Sequence, residues 1–337
     1  MEGIFRIHRE SLIPKYQQII DQFMIMLEKG SLRPGQQIPS IAGFAKQQNV
    51  SLATVAKAYD RMKEIGLLES KHGKGFFVTQ NKEISALNIF VLFDTMNTYK
   101  DVLFESLRKT LPASAKTDLH FYHYNYEVFQ QLIRKSLGKY SHYLILPHFN
   151  RNLNEIIEVI PAEKLILLDK LPKGAKGKFS AVFHHFERVI FNALADAMPL
   201  LGEYDALDII MDTEHGIYTP EELLRGIELF RSSYPLNGKI YGHYNDEILK
   251  KGRAYLVFSD NDMVNFIKRC KQKDWVIGKD IGLIGYDDTP IKEILLDGIT
   301  VISTDFAAMG KTAGKMILGE VQGVIENPSG LTVRKTL

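Results

Sequence analysis

The chain has 337 residues, 45% of them apolar, a single cysteine (Cys270) and a formal net charge of +2. That length suits a small domain plus a large one, each with its own core, and one cysteine excludes a disulfide framework or a thiolate metal cluster. The opening MEGIFRIHRE is charged at Glu2, Arg6 and Arg9 where a signal peptide needs an apolar run, and no later stretch has membrane-spanning length, so a soluble cytoplasmic protein is expected.

Charge is unevenly spread. Residues 1–82 hold 12 Lys/Arg against 7 Asp/Glu, or +5, whereas the rest hold 30 against 33, or −3. A basic N-terminal segment attracts phosphate.

From Pro14 to Gly30, Tyr16, Ile19, Ile20, Phe23 and Leu27 recur at helical spacing, with proline tolerated at the first turn and glycine at the end. Leu32–Gly35 reads as a turn, and Pro39-Ser40 can open a second helix through Ile41, Phe44 and Ala45 to about Asn49. The stretch Ser51–Gly66 places Val55, Ala58, Tyr59, Met62 and Ile65 on one face of a third helix, capped by Ser51 and closed by Gly66. Two short strands follow, 67–71 and 76–78, joined by His72-Gly73-Lys74-Gly75. Gly-Lys-Gly lacks the longer glycine spacing and following helix of a phosphate loop. Helix, helix and hairpin in this order suggest a winged helix-turn-helix whose third helix enters DNA.

The run GSLRPGQQIPS...AKQQNVSLATVAKAYDRMKEIGLLESKHGKGFFV resembles the GntR family of bacterial transcription regulators over residues 14–79. From the residues themselves, the hydroxyls of Ser40, Ser51 and Thr54 and the charges of Lys46 and Lys57 suit phosphate. His72, Gly73 and Lys74 at the hairpin tip suit a neighbouring groove. Ala42, Leu52 and Ala56 stand where many members carry arginine, so Leu52 is expected to meet thymine methyls rather than guanine edges.

Residues 80–87 are polar and read as a linker. Beyond them compact apolar runs alternate with helical stripes: strands are predicted at 88–93, 119–122, 143–146, 165–168, 181–183, 207–211, 254–258, 281–284 and 299–302. Thr219-Pro220-Glu221-Glu222 has the spacing of a capping box with proline at the first helical position. Such alternation predicts an α/β domain of parallel sheets covered on both faces, and 250 residues suit two lobes.

The stretch from Val257 to Gly319, with its Asn-Asp pair, Gly-Tyr-Asp-Asp and Met-Gly-x-x-Ala helix, is similar to LacI-type regulators and periplasmic sugar-binding proteins, as is the final LTVRKTL. The resemblance implies two Rossmann-like lobes joined by three crossovers around a small polar ligand, often a sugar. Ligands in such folds meet the carboxyl ends of strands, which selects Asp94, Asp169, Phe183, His185, Asn261 and Asp287. Tyr244 is expected to cover a sugar's apolar face. Arg225 lies one turn beyond the position where the family frequently has an arginine, so no guanidinium grip and no acidic ligand are expected.

His120/His123 and His184/His185 lack metal-ligand spacing, and Cys270 reads as packing, so neither metal nor cofactor is expected. A ligand-responsive regulator, in keeping with a repressor, binding operator DNA as a homodimer follows from these readings. The alternative is a winged helix fused to a pyridoxal-phosphate-type enzyme, which needs a cofactor lysine and more chain than remains.

Overall fold

The computed structural model describes residues 7–8, 11, 13–28, 31–64, 66–79, 87–174, 179–211 and 219–337. The predicted linker up to residue 86, and the expected roles of Gly30 and Ile65, lie outside these.

The N-terminal domain consists of α1 (Lys15–Glu28), β1 (Gln37–Ile38), α2 (Ile41–Gln48), α3 (Leu52–Glu64), β2 (Leu68–Lys71) and β3 (Gly75–Val78). Its helices form where the apolar spacing demands a buried face: Ile19, Ile20 and Phe23 of α1 meet Phe44 of α2 and Val55, Ala58, Tyr59 and Met62 of α3. Tyr59 is the centre of an aromatic cluster, 6.0 Å from Phe44 and 5.0 Å from Phe76 between ring centroids. Its hydroxyl donates to Pro39 O at 2.9 Å. Ser40 caps α2, accepting from Gly43 N, and Asn49 closes it in the left-handed conformation. The two-residue β1 was not legible in the sequence; it pairs antiparallel with β3, which also pairs β2.

The rest of the chain forms two α/β lobes. Lobe 1 begins with β4 (Asn88–Phe93), α4 (Thr98–Thr110), β5 (Lys116–Phe121), α5 (Tyr126–Ser136), β6 (His142–Ile145), α6 (Asn154–Ile157), β7 (Leu165–Asp169) and β8 (Ser180–Phe183). Lobe 2 takes α7 (Phe186–Leu201), β9 (Ala206–Ile210), α8 (Glu221–Ser233), β10 (Ile240–Tyr241), β11 (Arg253–Val257), α9 (Asp260–Gln272), β12 (Gly282–Tyr286), α10 (Pro290–Ile294) and β13 (Thr300–Thr304). The chain then returns to lobe 1 with α11 (Phe306–Ile317) and β14 (Val324–Glu326), and ends in lobe 2 with β15 (Ser329–Thr332). All nine predicted strands of this part are present, and the chain crosses between lobes three times.

The lobe 1 sheet has the order β14-β8-β7-β6-β4-β5 and is wholly parallel. The lobe 2 sheet has the order β10-β9-β11-β12-β13-β15, with only β15 antiparallel. Strands buried on both faces explain the unbroken apolar runs. Gly310 lets α11 approach α4 closely: a Cβ there would stand 2.2 Å from Leu103 O. Pro220 occupies the cap position without a side-chain hydrogen bond, and α8 starts at Glu221, because a proline ring at the cap has no oxygen to offer.

Candidate functional site

Two regions present polar chemistry to the outside. The first is the outer face of α3 with its neighbours. Ser51 Oγ accepts from Thr54 N at 3.2 Å and lies 2.7 Å from Thr54 Oγ1, so both hydroxyls hold the first turn. Leu52, 59% exposed, is an apolar side chain pointing outward beside them. Lys46 is exposed in the last turn of α2. Lys57 is exposed too, but its ammonium stands 4.2 Å above the Tyr16 ring of α1, a cation–π contact that fixes it near the helix. His72, Gly73 and Lys74 are exposed at the hairpin tip, where Gly73 (φ 71°) and Gly75 (φ 96°) adopt the left-handed region. Gln37 Nε2 donates to Lys74 O at 2.7 Å and ties the tip to β1.

The second region is a cavity of about 360 Å³ between the lobes, at the carboxyl ends of both parallel sheets. Its lobe 1 wall is a buried chain of charges. Lys100 pairs with Asp94 Oδ1; His148 Nδ1 stands 3.1 Å from Asp94 Oδ2, and His148 Nε2 2.7 Å from Asp169 Oδ2. His184 Nδ1 lies 3.2 Å from Asp169 Oδ1. Burial by itself would raise the Asp94 carboxyl, but His148 and Lys100 outweigh it and hold the group well below the carboxylate range. Asp169 is likewise desolvated and is held low by His184 and His148. His148 loses hydration, which lowers its pKa, yet the two carboxylates prevail and raise it. From Lys100 to Asp169 the chain therefore alternates in sign when His148 is protonated.

The lobe 2 wall is arranged differently. Lys292 Nζ donates to the carbonyls of Tyr286 (2.7 Å) and Asp287 (2.8 Å) and pairs with Asp260 at 2.8 Å, which fixes the loop after β12. The Asp287 carboxyl faces the cavity, and burial pushes it up to about 7 against the opposing charge of Lys292. Thr289 Oγ1 is buried without a hydrogen-bond partner among the described residues, and Asn261 is exposed on the cavity rim. Each lobe adds a stacked aromatic pair: Tyr99 with Phe306 at 4.3 Å on the lobe 1 side, Phe258 with Tyr286 at 4.4 Å on the lobe 2 side. Asp169 (φ 68°), Asp287 (φ 61°) and Tyr124 (φ 57°) all line the cavity with left-handed backbones. Strain gathered at one cavity is a mark of a working site. At the mouth, contacts join the lobes: Lys170 with Glu222 at 3.0 Å, Lys173 with Glu221 at 2.9 Å, and Asn150 Nδ2 to Thr219 O at 3.0 Å.

Of the residues expected here, Asp94, Asp169, Asn261 and Asp287 meet in the cavity. Phe183 and His185 do not. They line an outer groove of about 530 Å³ with Arg188 and Arg225, because side chains alternate along the β8 exit and it is His184 that turns inward. Tyr244 is also elsewhere: its hydroxyl donates to Asp246 Oδ1 at 2.8 Å and Asn265 O at 3.3 Å, and its ring packs against the core beneath α9. Arg225 pairs with Glu187 at 3.0 Å in the outer groove, so no arginine is among the described residues lining the cavity. Sequence reasoning missed His148, His184, Lys100, Thr289 and Lys292. His148, just past β6, satisfies the same strand-end rule that selected Asp94.

Comparison with known proteins gives each part a likeness. Residues 15–78 match the model of "Bacterial regulatory proteins, gntR family", and residues 211–337 that of a "Periplasmic binding protein-like domain". The HTH-type transcriptional repressor NagR of Bacillus subtilis is 36% identical over 81 residues, 24% of this chain and 33% of that protein. The chain spans 62%, 33% and 60% of the length of three such curated relatives. Among solved structures, a lac repressor dimer bound to operator and the anti-inducer ONPF aligns with TM-score 0.58 and 16% identity over 75% of this chain and 95% of that one. A LacI family transcriptional regulator from Enterococcus faecium with bound ribose aligns with TM-score 0.59 and 16% identity over 74% and 98%.

Proposed function

We propose that this chain, which joins a GntR-type winged helix to a two-lobed periplasmic-binding-protein-like domain, is a cytoplasmic transcription regulator. In this reading it binds operator DNA through α3 and the wing and senses a neutral polyhydroxylated ligand, most simply a sugar, in the cleft. The observation that carries the reading is the composition of the cleft. Carboxyl, amide and hydroxyl groups stand between aromatic faces, with no guanidinium among the described lining residues, which suits hydroxyl groups and a sugar's apolar face and disfavours phosphates. The ribose held by the Enterococcus faecium neighbour agrees with it.

Dimerisation follows from the geometry of reading, since one winged helix meets one half-site. Ile291 and Ile294 on α10, 47% and 73% exposed, supply an apolar face for a second copy, and the lac repressor neighbour is a dimer on its operator. Among the described residues no helix is long and apolar enough to cross a membrane. The ligand shifts operator affinity only by its differential affinity for the two lobe arrangements, and a repressor released by its ligand is the simplest form.

The test is a thermal-shift screen of monosaccharides, sugar phosphates and nucleosides. A ligand at a hundred times its Kd adds about 2.7 kcal/mol of stability. A neutral sugar is expected to raise Tm in the wild type and to lose that effect in Asp287→Ala. Equal stabilisation of the variant, or stabilisation by phosphates alone, contradicts the reading.

A further inference from the structure

At the opposite end of lobe 1 from the cleft, the amino ends of the strands carry the winged helix. Asp21, on the side of α1 that faces away from its own domain's core, pairs with Lys164, and the two side chains are only 12% and 11% exposed. Gln17 Nε2 donates to Asp21 Oδ1 at 2.9 Å, and the Gln17 stem presses so closely on lobe 1 that a Cβ on Gly138 would lie 2.7 Å from its Cγ. Around the pair, Ile20, Met24 and Arg61 of the winged helix face Asn88, Lys139 and Tyr140 across a small cavity of about 110 Å³. The pair is felt within lobe 1. Burial holds His142 down at about 4, with Lys164 adding to it, and burial raises Tyr143 to about 12, with Asp21 contributing.

Lys164 has a further property: it immediately precedes β7, the strand that ends in Asp169. One five-residue strand, about 16 Å long at the usual rise, therefore has the docking lysine at one end and a strained cleft carboxylate at the other. An exposed ion pair contributes little. A pair withdrawn from water is costly to separate, because either partner alone is a buried charge, so this contact fixes orientation rather than merely tethering the domain.

We infer that α1 docks the winged helix on lobe 1 of its own chain through Asp21, Lys164 and Gln17, so that the two move as one body and β7 carries the state of the cleft to the DNA-reading helix. The docking stands on contacts within this chain; the transmission rests on the regulator reading above.

Two readouts separate these parts. Amide hydrogen exchange is measured on the full chain as wild type, Asp21→Lys, Lys164→Asp and the double charge swap. Each single variant is expected to exchange at least tenfold faster over residues 139–143 and on α1, with α2 and α3 unchanged as a check on folding, and the swap is expected to return to within twofold of wild type. Wild-type rates in the single variants, or no recovery in the swap, overturn the docking.

The second readout uses duplexes selected by the wild type from a random pool and remade with half-site spacings lengthened by 2 and 4 base pairs. A fixed domain makes the wild type lose tenfold or more in affinity at the longer spacings; Asp21→Lys is expected to lose less than threefold, and the swap to regain the wild-type pattern. The same spacing profile in wild type and Asp21→Lys overturns the transmission. Failure of the wild type to bind any duplex overturns the regulator reading, while the exchange data still decide the docking.

Discussion

In the lobe 1 wall of the cleft, His148 bridges Asp94 and Asp169, with Lys100 on the far side of Asp94 and His184 on the far side of Asp169. In the lobe 2 wall the Asp287 carboxyl faces open space beside Asn261 and Thr289, whose hydroxyl has no hydrogen-bond partner among the described residues. The same kinds of side chain thus serve as structure in one wall and stand open to a ligand in the other. A buried polar group is tolerable when it is partnered and costly when it is not. Asp287 and Thr289 are the places where a ligand's hydroxyls gain most.

The largest expected effect comes from breaking the partnered wall. Lys100→Met leaves Asp94 buried with one cation fewer and is predicted to cost about 3–5 kcal/mol in denaturant unfolding. Asp287→Ala is predicted to cost less than about 1 kcal/mol or to stabilise, since it removes a desolvated carboxyl. Equal losses from the two variants would erase the distinction between the walls.

A smaller effect separates the walls by pH. Asp287 titrates near 7 in the fold against an ordinary 3.8, so between those values the folded state binds more protons than the unfolded one, and stability falls as pH rises through that window. Asp94 and Asp169 are held low, so their contribution is present above the ordinary carboxylate value and is lost as pH falls below it. His148, raised above 6.5, adds stability that is lost as pH rises through its folded value. The difference between wild type and Asp287→Asn, followed by Tm from pH 4 to 8, isolates the first slope. Parallel curves would show that Asp287 is an ordinary surface carboxylate.

The smallest effect carries the same distinction to the DNA face, where Lys57 is engaged by Tyr16 and Leu52 stands open. Lys57→Ala is predicted to weaken operator binding about threefold and to lower the salt slope by about 0.9, one phosphate contact. An unchanged slope in a salt titration would mean that the ammonium serves only the Tyr16 ring.

Much of this was legible in the sequence, because apolar periodicity and strand-end rules act locally. The α3 stripe, the Ser40 cap and all nine strand centres follow from spacing, and Asp94, Asp169 and Asp287 from their place after strands. What was not legible depends on which way a side chain turns or what crosses it in space. His185 was expected in the cleft where His184 stands, since one residue of register decides the face of an extended segment. Lys100 looks like any charged residue of a helical first turn, and only the seating of α4 beside the end of β4 buries it. Tyr244 has the chemistry to cover a sugar, but α9 lies against it. The pairing of Asp21 with Lys164 joins residues far apart in the chain and leaves no periodic trace.

Control of DNA binding by the cleft through its open wall is read by titrating a selected operator duplex with and without the stabilising sugar, in wild type and Asp287→Ala. Adding the sugar is expected to change operator affinity tenfold or more in the wild type and to leave it unchanged in the variant, whose sugar-free operator affinity equals the wild type's. A sugar response that persists at full size in Asp287→Ala would contradict that control.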